Sequence, residues 1–125
     1  MKIEIKSAFI SYRDEETNIR VWNPENPDCF DAYLVLCLGE KGKKGSDDFC
    51  CRIATPKGLA KGIKDQPDGS IIHGRQILVV SEFSYDDIWE HVQNIVKECQ
   101  GDTWIQSCMN LRKYFEWEYD DYNEQ

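Results

Sequence analysis

The sequence lacks any apolar run that is long enough to cross a membrane. No window approaches the roughly 18 consecutive apolar residues that such a span requires. The N-terminal residues Met-Lys-Ile-Glu-Ile-Lys alternate charged and apolar side chains, so a hydrophobic signal core is also missing there. We therefore expect a cytoplasmic protein. Its 125 residues predict a single domain that spans residues 1–125.

Metal-site spacing is absent as well, although the sequence contains six cysteines. No Cys-x-x-Cys motif occurs, and the adjacent Cys50 and Cys51 would point to opposite faces of a strand. Without a signal peptide, the cysteines are expected to be free, buried thiols rather than disulfides. We expect neither a metal ion nor another cofactor.

Catalytic groupings are equally scarce. The two histidines, His73 and His91, have no partner at a spacing that is typical of a triad or a metal site. We therefore predict a protein that is not an enzyme and has no catalytic residues. One alternative stays open, in which Cys50 or Cys51 pairs with His73 in a small thiol-dependent enzyme or redox sensor. A plain protein-interaction adaptor is another.

The order of elements around Gly39–Ser46 argues against a phosphate-binding loop, although this stretch is rich in glycine and lysine. A phosphate loop opens a helix directly after its last glycine. Here Gly45 is followed by Ser46 and two aspartates, whose carboxylates would repel phosphate, and then by a strand-like segment. The stretch therefore predicts a hairpin turn between two strands.

Apolar patterning predicts a sheet in the first two thirds of the chain. Ile3, Ile5 and Phe9 have the same parity, and charged residues alternate with the first two. This pattern predicts a half-buried first strand with all three apolar side chains on one face. The pattern shifts at Ile10, which indicates a bulge. A turn is expected at residues 14–18. The further predicted strands are residues 19–22, a central strand at 30–38, its return strand at 48–54, a short strand or loop at Ile71-Ile72, and a buried strand at 76–82.

Capping residues and helical spacing predict three helices. Thr55 and Pro56 begin a short helix, Ser84 caps a second one that Gly101 ends, and Asp102 or Thr103 caps a third. The apolar residues expected on the buried sides of the first and third helices are Leu59, Ala60 and Ile63, and then Trp104, Cys108, Leu111 and Phe115.

These elements together predict an α+β fold. We expect a mainly antiparallel sheet of four to five strands within residues 1–83, with a short helix packed on it. A C-terminal helical hairpin is expected at residues 84–119, also packed on the sheet, and an acidic tail at residues 120–125.

The net negative charge of the chain lies entirely in its last third. Residues 81–125 hold 3 basic and 11 acidic side chains, whereas residues 1–80 hold 12 of each, so the net charge of −8 lies in the C-terminal part. Such a field repels nucleic acid and anionic membranes and attracts basic proteins. The expected partner is therefore a basic protein.

The C-terminal segment interleaves these acids with aromatic side chains. A helix cannot bury all of them on one side, and carboxylates near its C-terminus oppose the helix dipole. Exposed aromatics beside carboxylates are typical of a protein interface, and a frayed, solvated tail is the alternative. The predicted partner-binding residues are Glu116, Trp117, Glu118, Tyr119, Asp120 and Asp121, with a second group at Asp86, Asp87 and Glu90.

A further set of features is spread over most of the chain. They are the turn from Gly39 to Asp48 with Phe49 after it, Thr55-Pro56, Leu59, Gly74-Arg75, the Ile77–Val80 strand and the Tyr85-Asp86 helix start. In these features the chain resembles bacterial immunity proteins of polymorphic or contact-dependent toxin systems, in particular the family numbered eight.

The resemblance implies a function for the chain. Proteins of this kind are small antidotes that bind one cognate toxin domain and block it, often at its active site. The resemblance brings no catalytic motif with it. The acidity of the C-terminal third agrees with a basic toxin such as a nuclease, because an inhibitor can mimic the charge of nucleic acid.

Overall fold

The computed structural model describes residues 1–65 and 76–119. The predicted Ile71-Ile72 strand, His73, Gly74-Arg75, Asp120 and Asp121 lie outside these residues. The strands in the described part are β1 (Ile3–Tyr12), β2 (Glu15–Asn18), β3 (Asp31–Glu40), β4 (Asp47–Ala54), β5 (Ile77–Val79) and β6 (Glu116–Trp117). The helices are α1 (Pro56–Asp65), α2 (Tyr85–Glu98) and α3 (Trp104–Leu111).

The strands form one sheet in the order β2-β1-β3-β4-β5, and β6 also pairs with β4. Every pair is antiparallel except β4 with β5, which is parallel because α1 lies between them in the chain. The predicted α+β fold with a mainly antiparallel sheet is therefore confirmed. In the described ranges, no helix has both the length and the apolar character needed to span a bilayer.

A bulge is present in β1, but it lies earlier than the predicted shift at Ile10, because the register with β3 changes between Ile5 and Ser7. The extra residue changes which side chains face the core. Ala8 and Ile10 are buried after the bulge, and Phe9 lies opposite Val35 on the other face. The prediction that Phe9 shares a face with Ile3 and Ile5 is therefore wrong.

The second strand lies earlier than predicted. Arg13 and Asp14 have φ values of 52° and 65°, so two residues suffice to turn the chain and start β2 at Glu15. The predicted turn at residues 14–18 is thus mostly strand. The predicted strand at residues 19–22 is wrong, because the backbone turns at Asn18, whose carbonyl accepts hydrogen bonds from two later N–H groups.

The β3–β4 hairpin forms as predicted around the glycine-rich turn. Gly42 and Gly45 have φ values of 84° and 94°, which favour glycine. Alternate side chains of β3 and β4 are fully or nearly fully buried. Tyr33, which lies between two of the buried positions of β3, is 52 % exposed. The central strand is therefore covered on one face. The buried residues of the hairpin are Ala32, Leu34, Leu36, Leu38, Phe49, Cys51 and Ile53.

Thr55 caps α1 as predicted, since its Oγ1 accepts a hydrogen bond of 3.0 Å from the N–H of Gly58. The predicted buried side of this helix is wrong. Gly58 is the residue that α1 buries, and Ala60 is exposed, while Leu59 and Ile63 are half-buried. A Cβ atom at Gly58 would lie 1.9 Å from the carbonyl oxygen of Phe30, so this close approach requires glycine.

The strand predicted at residues 76–82 is shorter and less buried than expected. It is reduced to β5, where Ile77 is 38 % and Val79 52 % exposed and Leu78 alone packs against the core. The strand β5 pairs with the end of β4. The alternate side chains of Ile77 and Val79 point to the face of the sheet that lies away from α2 and α3.

The helix α2 follows its prediction closely. Ser84 Oγ accepts a hydrogen bond from the N–H of Asp87, and Ile88, Val92 and Val96 form the buried stripe of the helix. Thr103, rather than Asp102, caps α3 through a 3.1 Å bond from the N–H of Gln106. The helical hairpin therefore packs on the sheet as expected.

The predicted extension of the hairpin to residue 119 is wrong. The third helix ends at Leu111, and the chain then turns into β6, which pairs with β4. Phe115 is nevertheless buried, as predicted. Its N–H donates a hydrogen bond to the carbonyl oxygen of Leu111, so the helical turn continues for a few residues after α3. The alternation of acid and aromatic residues after Phe115 has the period of a strand.

Candidate functional site

Two short strands share the outer edge of β4. The C-terminal strand β6 lies beside the start of β4, where Trp117 pairs with Phe49 and Glu116 with Cys50. The strand β5 lies beside the end of β4, from Arg52 to Ala54. The acidic and aromatic C-terminal segment is therefore part of the sheet.

Trp117 belongs to the core rather than to an exposed surface. Its side chain is 8 % exposed, and its ring stacks on Phe49 with 6.1 Å between centroids and 5° between planes. Its Nε1 donates a 3.1 Å hydrogen bond to Oδ2 of Asp47. The structure thus gives Trp117 the task of fixing β6 on the sheet, which the sequence alone did not reveal.

Three carboxylates, which we call the acidic edge, gather around this strand pair: Asp48, Glu116 and Glu118. All three are exposed. Glu118 Oε1 accepts a 2.9 Å hydrogen bond from the N–H of Asp48, and the N–H of Glu118 donates to the Asp48 carbonyl at 3.0 Å. In residues 1–65 and 76–119, no ion pair includes a member of the acidic edge.

The acidic edge therefore holds two of the predicted partner-binding residues, Glu116 and Glu118, together with Asp48. Tyr119 follows directly, is 41 % exposed, and packs its ring edge against Trp117 at 5.7 Å. Asp48 was missed at the sequence level because its proximity to Glu118 depends on strand pairing. The signal that could have found it is the period-two alternation of residues 116–119, which is typical of a strand.

The second predicted group lies elsewhere. Asp86, Asp87 and Glu90 are exposed on the first turns of α2. Asp87 lines a cavity of about 200 Å³ between β5 and α2, together with Leu78 and His91. The strand β5 lies beside the end of β4, whereas β6 lies beside its start. Asp86, Asp87 and Glu90 are therefore separate from the acidic edge.

The cysteines are free thiols, as predicted, but only Cys51, Cys99 and Cys108 are buried, whereas the other three are half-buried. Burial raises the pKa of the Cys51 thiol to about 12, and the nearby Cys50 and Glu116 act in the same direction. Burial also raises the pKa of Cys50, with further contributions from Glu116 and Asp48. Neither thiol is primed to ionise at neutral pH, which disfavours the thiol-enzyme alternative.

Potential metal ligands do not converge in the part of the chain that the structure describes. There, no group of three or more His, Cys, Asp or Glu side chains could hold a metal ion. The carboxylates of the acidic edge are arranged along a strand pair instead, where they can accept hydrogen bonds from lysine and arginine side chains of another protein.

Comparison with known proteins places this architecture in a family. No curated protein and no solved structure shows a significant match to the chain. The family model described as Immunity protein 8 matches residues 4–122. Because this match covers nearly the whole chain, the protein belongs to the Immunity protein 8 family and is an immunity protein against a toxin.

Proposed function

We propose that this immunity protein neutralises its toxin by binding a basic toxin domain through the acidic edge and the residues that follow it. The observation that carries this proposal is that Asp48, Glu116 and Glu118 are exposed and have no cationic partner among the described residues. A lysine or arginine of the toxin would supply the missing charge.

Electrostatic attraction gives this surface a kinetic advantage. A cluster of like charges attracts an oppositely charged protein before contact and raises the association rate, with an effect that salt screens. Asp120 and Asp121, which continue the same segment, are proposed to extend the negative field. Tyr119 would add aromatic contact area beside the carboxylates, because tyrosine is a common anchor at interfaces.

The inhibition is proposed to be non-enzymatic. The chain would block its toxin by occupying the surface that the toxin uses, and a nuclease is the toxin class that best fits an acidic inhibitor. We propose a cytoplasmic site of action and a gene beside that of a polymorphic or contact-dependent toxin. Asp86, Asp87 and Glu90 form a second, separate candidate contact on α2.

The direct test measures binding to the toxin domain encoded beside this chain. The double variant Glu116→Gln and Glu118→Gln removes two charges and keeps an oxygen that can accept the hydrogen bond from the Asp48 N–H. We expect the association rate at low salt to fall about tenfold and its salt dependence to weaken.

A matched control removes two exposed carboxylates from other surfaces, through Glu25→Gln and Glu98→Gln. Because the net charge changes equally, this variant should retain most of the wild-type rate. Equal rates for both double variants would reject the acidic edge as the contact surface. Failure of the wild-type chain to bind the toxin domain would reject the proposed function itself.

A further inference from the structure

The sheet has a second face, which we call the outer face, opposite the one that α2 and α3 cover. The core places buried residues of both helices against Leu34, Leu36 and Ile53, so the alternate residues of β3 and β4 point the other way. Among the described residues, α1 reaches this face at one end, where Gly62 lies near the Asp31 carboxylate.

Strand pairing arranges the outer face in rows that cross the sheet. One row contains Phe9, Val35, Cys50 and Glu116, as the registers of β1, β3, β4 and β6 show. With about 4.8 Å between neighbouring strands, such a row is about 14 Å long. In this row the apolar side chains of Phe9 and Val35, which we call the apolar centre, are separated from Glu116 of the acidic edge only by Cys50.

A second row contains Ser11, Tyr33, Arg52 and Ile77. Tyr33 is 52 % and Ile77 38 % exposed, and Val79, two residues further along β5, is 52 % exposed. Large apolar side chains are therefore exposed on this face, whereas its central residues, such as Val35, are half-buried. Exposed apolar patches with polar borders are typical of protein interfaces.

The charges on this face are mostly negative. Arg52 is engaged by Asp31, to which it donates two hydrogen bonds, one of 2.8 Å from Nε, so its positive charge is compensated. Glu16, Asp48 and Glu116 border the apolar centre and take part in no ion pair within the described ranges. The outer face thus combines an apolar centre with an acidic border.

This combination selects one kind of occupant. A second copy of the chain would bring the same carboxylates together, which is unfavourable. A partner with an apolar patch bordered by lysine or arginine would match both the centre and the border. The basic toxin domain of the proposed function has the required charge.

We propose that the outer face is the principal contact surface for the toxin domain, with Tyr33, Ile77 and Val79 as its apolar anchors. This inference rests on the proposed function and deepens it, because it extends the contact from the acidic edge across the sheet. The acidic border orients the toxin and speeds the encounter, and the apolar centre slows dissociation.

The test replaces exposed residues of the edge strand β5. Ile77→Lys and Val79→Lys each put a positive charge in place of an apolar anchor, and lysine is well tolerated at sheet edges. We expect each variant to raise the Kd for the toxin domain encoded beside this chain about thirtyfold, as for an interface hot spot. Ile105→Lys on α3, where Ile105 is 62 % exposed, is the matched control and should leave the Kd unchanged.

A second measurement uses the unaltered protein and its own thiols. Cys37 and Cys50 are half-buried on the outer face, and Cys29, which is half-buried in the loop before β3, is an internal reference. We expect bound toxin to slow alkylation of Cys37 and Cys50, measured by mass spectrometry, and to leave Cys29 unaffected.

The outcomes separate the two proposals. Binding by the wild-type chain with unchanged Kd values for both β5 variants, or with unshielded Cys37 and Cys50, would overturn the outer face as the contact surface. Absence of binding by the wild-type chain would overturn the proposed function instead.

Discussion

Asp47 Oδ2 accepts a hydrogen bond of 3.1 Å from Nε1 of Trp117, across 70 residues of sequence. The same oxygen accepts a second bond of 3.2 Å from Nε1 of Trp104 at the start of α3. One carboxylate therefore joins the return strand of the hairpin, the third helix and the C-terminal strand. Because β6 carries the acidic edge, this joint also determines where the proposed contact residues lie.

Removal of the Asp47 carboxylate should destabilise the fold. Asp47→Ala leaves two indole N–H groups without their acceptor, and each buried unsatisfied donor costs about 1–3 kcal/mol. We expect a loss of about 2 kcal/mol or more in the free energy of unfolding, measured by urea denaturation. Asp47→Asn keeps an acceptor oxygen and should lose less.

The neighbouring Asp48→Ala is the control for this substitution. Asp48 is exposed, so its removal should change stability by less than about 0.5 kcal/mol. Similar losses for Asp47→Ala and Asp48→Ala would contradict the structural role of the two indole hydrogen bonds.

Two glycines of α1 should respond in opposite ways to the same substitution. A Cβ atom at Gly58 would lie 1.9 Å from the Phe30 carbonyl oxygen, so Gly58→Ala forces the helix away from the Phe30 backbone. We expect a loss of about 3 kcal/mol or more in unfolding free energy. At Gly62 the nearest atom would be 3.8 Å away, and Gly62→Ala should stabilise the helix by about 0.5–1 kcal/mol.

Thermal and urea unfolding of the two alanine variants measure this difference directly. Each variant is the control for the other, because both place alanine in the same helix. Equal shifts of the midpoint would show that α1 does not pack against Phe30 in this way.

Alkaline pH should destabilise the protein through its buried thiols. Burial raises the pKa values of Cys51 and Cys108 from 9.0 to about 12. The unfolded chain therefore loses these protons at a lower pH than the folded chain, so stability falls as pH rises from about 9 towards 12. Below pH 9 both states keep the protons and this contribution is fully present.

The measurement compares urea midpoints at pH 7 and pH 10 for the wild type and for Cys51→Ala. Each thiol should account for about 1 kcal/mol of the alkaline loss by pH 10. Contributions that both proteins share cancel in the comparison. An identical pH dependence for the variant would contradict the raised pKa of Cys51.

Local patterns predicted the elements whose stabilising contacts are themselves local. The Thr55 and Ser84 caps, the helical stripe of α2 and the glycine-rich hairpin turn depend on neighbours within a few residues, and all are present in the structure. The periodicity of Trp104, Cys108 and Leu111 likewise marks α3, although it overstates the length of this helix.

The incorrect predictions share a different cause. The helix expected to continue to residue 119 gives way to β6 because a free edge of β4 pairs with it and Trp117 stacks on Phe49. The exposure of Ile77 and Val79 follows from the position of β5 at the sheet edge. The strand β4, with which both β5 and β6 pair, lies far from each of them in the sequence.

The sequence by itself determined the α+β class, the hairpin and the caps, and the confinement of net negative charge to the last third of the chain. These properties follow from composition and from interactions between residues close in the chain. The tertiary structure decided which acids stand together, because the approach of Asp48 to Glu118 and of Glu116 to Cys50 depends on pairing across more than 60 residues. It also decided that Trp117 is a core residue, since burial is a property of the assembled sheet.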